Sequence, residues 1–158
     1  MDYKDNNLVV WQPDSEGLTS VRGITDFRNE WDLRLSVEVP MDLSVDVGAG
    51  TSALNLGGLS LTGLDVSLGA GKSTIDLSGG WARDLDVKIQ AGAGEINVLL
   101  PKDVGVRVEV ETGLGTINAP GLTQAGDVYT NAAYGVSDVT IQIAIEAGIG
   151  QINLEVVE

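Results

Sequence analysis

The sequence predicts an all-β fold, a parallel β-solenoid built from a 21-residue coil with Gly-Ala-Gly turns. Three observations predict it. First, Leu43-Ser-Val-Asp-Val-Gly-Ala-Gly, Leu64-Asp-Val-Ser-Leu-Gly-Ala-Gly, Leu85-Asp-Val-Lys-Ile-Gln-Ala-Gly and Val106-Arg-Val-Glu-Val-Glu-Thr-Gly follow one another at a spacing of 21 residues without gaps. A fixed period of this size marks a repeat architecture. Second, the apolar residues inside each copy alternate, as in Leu64/Val66/Leu68 and Ile141/Ile143/Ile145, which is the period of a half-buried strand. Third, alternation resumes in the opposite parity after the glycines, at Leu54/Leu56, Ile75/Leu77, Ile96/Val98 and Ile152/Leu154. A tight turn must absorb the odd residue, and Gly-Ala-Gly supplies the backbone freedom. Each copy therefore reads as strand, glycine turn, strand, looser turn. An antiparallel β-sandwich of stacked hairpins is the alternative, since short strands with regular turns also fit it.

In chain order, Met1-Asp-Tyr-Lys-Asp-Asn-Asn is no signal peptide and resembles part of an epitope tag. Residues 1–7 are expected to be a tag or disordered, within an irregular N-terminal cap over 1–31. Leu8-Val-Val-Trp11 reads as one short strand. Residues 32–40 read as a degenerate first coil, because Leu33 and Leu35 stand 21 residues before Leu54 and Leu56. Solenoid ends expose unpaired strand edges and need cover, and Phe27, Trp31 and Trp11 are assigned to it. The solenoid itself occupies 32–158. Stacked neighbours at about 4.8 Å put Leu on Val on Ile in continuous columns, each side chain contributing roughly 1.5–3 kcal/mol on burial. Such columns hold a chain that has only 4% aromatic residues.

Two polar or glycine columns accompany the apolar ones. Gly50, Gly71, Gly92, Gly113 and Gly148 are expected at the structural turn. Asn55, Asp76, Asn97, Asn118 and Asn153 are expected to stack as a structural ladder whose amides bond from coil to coil. An insertion at about 122–137 separates the fourth copy from a fifth, Ile141-Gln-Ile-Ala-Ile-Glu-Ala-Gly-Ile-Gly-Gln-Ile-Asn-Leu. A lateral hairpin or extra half-coil is expected there. Tyr129 and Tyr134 in the insertion are candidate partner contacts, because insertions on one face of a solenoid often carry recognition. Trp81 in a loose turn is expected to pack sideways on the core rim, with an exposed anchor for a partner as the alternative.

Composition limits the chemistry. The 158 residues contain no cysteine and no histidine, so disulfides, a Ser-His-Asp triad and a His/Cys zinc site are excluded. A net charge of −14 argues against nucleic acid and against docking on anionic lipid. No apolar run is long enough to span a membrane as a helix. Gly69-Ala-Gly-Lys-Ser-Thr74 has the look of a phosphate loop, but Val66 stands where that motif needs glycine and the following Ile75-Asp-Leu is strand. Asp46, Asp65, Asp86 and Glu109 alternate with core residues and should face solvent. No catalytic, metal or cofactor site is expected.

Together these motifs resemble the bacterial toast-rack family, domains found on LiaF-like membrane proteins that respond to cell-wall-active antibiotics. The resemblance covers about 31–158 and rests on Val39-Pro-Met-Asp-Leu-Ser-Val-Asp-Val-Gly-Ala-Gly50, Leu64-Asp-Val, Asp76-Leu-Ser-Gly79, Leu100-Pro-Lys-Asp-Val-Gly-Val-Arg-Val108, Gly113-Leu-Gly115, Ala133-Tyr-Gly135 and Glu146-Ala-Gly-Ile-Gly150. It implies a non-enzymatic interaction or sensory domain in envelope-stress signalling, membrane-associated through an anchor removed from this chain, with a protein partner. The alternative is a structural protein that self-associates into filaments by end-to-end stacking of open strand edges.

Overall fold

The computed structural model describes residues 2–4, 7–9, 35 and 37–158. Residues 1–33 and 34–158 form two compact units. In the first, β1 (Asp2–Lys4) and β2 (Asn7–Val9) make a small antiparallel pair, with Tyr3 opposite Leu8. Part of Leu8-Val-Val-Trp11 is thus strand. The cover assigned to Trp11, Phe27 and Trp31 lies outside the described residues. So does Leu33 of the degenerate coil. Val37 and Val39 stand 61% and 58% exposed in a bend, not on a strand.

The second unit is one mixed, seven-stranded sheet in the order β3-β4-β5-β9-β6-β8-β7. Five strands are long: β3 (Met41–Asn55), β4 (Leu61–Asp76), β5 (Leu85–Pro101), β6 (Gly105–Asn118) and β9 (Thr140–Val157). They pair parallel throughout. Two short strands, β7 (Thr123–Ala125) and β8 (Val128–Thr130), form a hairpin that pairs antiparallel with β6 at Arg107–Glu109. The insertion is therefore a lateral hairpin.

Chain reach decides how each long strand runs. A straight β3 would be about 46 Å long. The link 56–60 can cover no more than about 22 Å, yet it must return the chain to the start of β4, where Leu61 lies opposite Met41. Each long strand therefore doubles back at its glycines into two arms. The parity switch at the corner keeps apolar side chains inside on both arms. Leu64 and Val66 of one arm and Ile75 and Leu77 of the other are at most 2% exposed and belong to a single core.

Two features of the stacking differ from the expected columns. The fifth copy does not follow the fourth. It lies between the third and the fourth, so that β9 has β5 on one side and β6 on the other. The register also slips by two residues between the second and third copies. Leu64 sits opposite Val87, not Leu85, and Ile75 opposite Val98, not Ile96. The physical reason is the link between them. Residues 77–84 form a longer return than 56–60, anchored by Trp81, whose indole N–H donates to the Leu77 carbonyl at 2.8 Å. A slip of two preserves every inside–outside assignment, because the side-chain period is two.

Candidate functional site

The glycine corner fixes what the outer surface can present. The slip splits the expected column of turn glycines. Gly50 and Gly71 continue into Gly94 and Gly150, and Gly150 pairs with Gly115. Gly92, Gly113 and Gly148 belong to the neighbouring column, with Gly48 and Gly69. At Gly71 the backbone is left-handed, φ 130°, and a Cβ would collide with the Gly50 carbonyl. Only glycine meets both demands. Between the two glycine columns runs a row of side chains: Ala49, Ala70, Ala93, Ile149 and Leu114. Three copies carry alanine there. The other two carry Leu114 and Ile149, register partners that are 70% and 60% exposed.

The polar ladder is split by the same slip. Asn55 lies opposite Asp76, and Asp76 opposite Leu99. Asn97, Asn153 and Asn118 form a separate column, continued by Thr74. Asn153 Nδ2 donates to Asn97 Oδ1 at 2.7 Å, Asn97 Nδ2 to Glu95 Oε1 at 3.0 Å, and Gln151 Nε2 to Asn153 Oδ1 at 2.8 Å. Asp76 instead accepts from the Ser78 N–H at 2.9 Å, closing its own turn. Lys72 of the phosphate-loop look-alike pairs with Glu95 at 3.0 Å and lies on strand β4. Hydrogen bonds from Lys72, then Asn97, hold the Glu95 carboxyl below its ordinary value.

The three aromatic candidates separate. Trp81 and Tyr129 are buried at 7% and 6% exposure, so neither ring is offered to a partner in this conformation. Tyr134 is 42% exposed, beside Val136 at 83%. Sequence reasoning missed the residue that fixes the insertion. Buried Asn131 accepts from the Val106 N–H at 2.9 Å and donates to the carbonyls of Val104 at 2.8 Å and Pro101 at 3.0 Å. It occurs once, outside the repeat, so no periodic signal could reveal it. Leu114 and Ile149 did carry a signal, as large apolar residues in a slot that is alanine in the other copies.

The outer faces of the two arms differ in chemistry. Three rows cross the first arms: Asp42/Gly63/Asp86/Gln142/Arg107, then Ser44/Asp65/Lys88/Ala144/Glu109, then Asp46/Ser67/Gln90/Glu146/Glu111. Asp46, Asp65, Asp86 and Glu109 are exposed there, as the alternation requires. The second arms present Thr51/Lys72/Glu95/Gln151/Thr116, where a lysine balances the one acid, then Ala53/Thr74/Asn97/Asn153/Asn118, then Asn55/Asp76/Leu99/Glu155. An open groove of about 860 Å³ crosses the first arms at the corner, lined on each strand by three successive residues, the last of them Gly48, Gly69, Gly92, Gly148 or Gly113. Among the described residues, no three or more of His, Cys, Asp and Glu are grouped to hold a metal ion. No helix among them is long and apolar enough to cross a membrane.

The model of the N-terminal domain of toast_rack matches residues 2–99. The chain belongs to the toast-rack family. No curated protein matches it. Among solved structures, the toast-rack chain is similar to a "putative cell adhesion protein" from Clostridium sporogenes, with 36% identity and a TM-score of 0.80. The match covers 89% of this chain and 68% of that one. The chain thus shares its fold with a crystallographically observed relative.

Proposed function

We propose that this toast-rack chain is a non-enzymatic interaction or sensory domain of a cell-envelope stress-response protein, a rigid β-solenoid scaffold for protein contacts. The observation that carries the reading is the Leu114–Ile149 pair. Two large aliphatic side chains stand exposed side by side, on a corner where the other copies keep alanine. We read this exposed apolar pair, rimmed by polar rows, as the centre of a contact surface. Family membership and the clostridial relative support a binding role. The solenoid form is supported by the parallel pairing of all five long strands and by the doubling back at each corner.

Filament formation by coil-on-coil stacking is the weaker reading. The β7–β8 hairpin already covers the outer edge of β6 at Arg107–Glu109, and such cover is how sheets block edge-to-edge growth. In-cell photocrosslinking tests the proposal, with a benzophenone amino acid at position 149 and, as control, at Ala53. The expected result is a discrete adduct with another protein from 149 alone. Adducts only between copies, or none, would contradict it.

A further inference from the structure

We infer that the outer face of the first arms docks an extended basic segment of a protein partner, seated across the strands in the glycine-lined groove. The inference rests on the interaction reading above and names the chemistry of its partner. Three observations converge. The groove crosses all five long strands, about 20 Å at the strand spacing, which is the length of six extended residues. On every strand one of its lining residues is a glycine, Gly48, Gly69, Gly92, Gly148 or Gly113, which leaves room for a backbone to approach. Its wall is Asp46, Ser67, Gln90, Glu146 and Glu111. Gln90 Nε2 donates to Glu146 at 3.1 Å, and Lys88 reaches Glu146 at 4.0 Å. The wall's three carboxylates, Asp46, Glu146 and Glu111, outnumber this one cation from the neighbouring row. At the Gly113 and Gly148 end of the groove, the next residues along β6 and β9 are the exposed Leu114 and Ile149.

Charge complementarity selects the occupant. The first-arm face carries seven carboxylates against Lys88 and Arg107, whereas the second-arm face carries three, Asp76, Glu95 and Glu155, among amides and hydroxyls, with Lys72 on Glu95. An acidic segment, or a second copy of a chain with net charge −14, is repelled from the first face. Lysine or arginine at every second position of an extended segment places its charges along the wall. An apolar residue at its end meets the Leu114–Ile149 shelf.

The test uses fluorescence anisotropy with labelled alternating Lys–Ser peptides of two to ten residues. Affinity is expected to rise with length up to about six residues and then level off. Glu111→Gln with Glu146→Gln should weaken binding at least about tenfold. Glu95→Gln with Glu155→Gln removes the same charge from the second arms and should change it less than twofold. Equal loss from both pairs would reduce the effect to diffuse attraction, and no binding at all would overturn the site. Either result beside a crosslinked partner from position 149 leaves the interaction reading standing. Absence of both removes both.

Discussion

The first and last of the long strands are copies of one motif with unequal weight. In β3 the inward residues Leu43, Val45 and Val47 are half-buried. In β9 their equivalents Ile141, Ile143 and Ile145 are at most 2% exposed. The two strands differ little in hydropathic pattern. They differ in position, since β3 pairs with β4 alone among the described strands, and β9 pairs along its length with both β5 and β6. A repeat motif therefore sets which way a side chain points, and the place in the stack sets how much its burial contributes. The strand added last in sequence is the one that joins the two halves of the sheet.

That contrast can be broken most severely by removing residues 140–158. Without β9, β5 and β6 lose their shared neighbour, and cooperative thermal unfolding should disappear in circular dichroism. Point changes sharpen the contrast. Ile143→Asp and Val87→Asp each bury an unpaired charge among aliphatics and should unfold the domain. Val45→Asp on half-buried β3 should leave a cooperative transition at lower temperature. By truncation, Ile143→Ala should cost about 2–5 kcal/mol and Val45→Ala only about 1 kcal/mol. Equal losses in chemical denaturation would deny the difference between the strands.

A smaller effect is expected at the insertion. Asn131→Ala leaves the Val106 N–H and two carbonyls short of a partner and should cost about 2–3 kcal/mol. Tyr134→Ala, at an exposed ring, should leave the melting temperature nearly unchanged. The smallest effect concerns Glu95. Its folded value is lowered by Lys72 and Asn97, so its contribution is present above the ordinary carboxylate value and fades as pH falls through the lowered one. Glu95→Gln should therefore flatten the acid limb of a stability–pH curve slightly, and an unchanged limb would deny the interaction.

Much of this fold was legible in the sequence, for definite reasons. Alternation placed Leu64, Val66, Ile75 and Leu77 inside because a strand has only two faces. Gly50 and Gly71 were legible as corners because a backbone packs on a backbone there. The order of the copies was not legible. Each copy presents the same aliphatic columns, so Ile152 packs as well between Ile96 and Ile117 as beyond them. The two-residue slip at Leu64–Val87 was hidden because it moves no side chain to the other face, and it split both the glycine and the amide columns expected from a strict period. Of the candidate contacts, Trp81 and Tyr129 are buried and Tyr134 is exposed. An aromatic in a turn or insertion looks the same in sequence whether it faces the core or solvent. Leu114 and Ile149 could have been found by comparing the residue between the two corner glycines across the copies.

The central claim is that β9 lies between β5 and β6. The chain lacks cysteine, so introduced pairs report directly. Asp86→Cys with Gln142→Cys joins register partners on adjacent strands, within the Cα separation that a disulfide spans. Asp86→Cys with Arg107→Cys tests sequential stacking, in which β6 would adjoin β5. The account places those two strands apart, at about 10 Å across β9. Mild oxidation of the folded protein should close the 86–142 pair and leave 86–107 as thiols. Ready closure of 86–107, with 86–142 open, would put the copies in sequence order and contradict it.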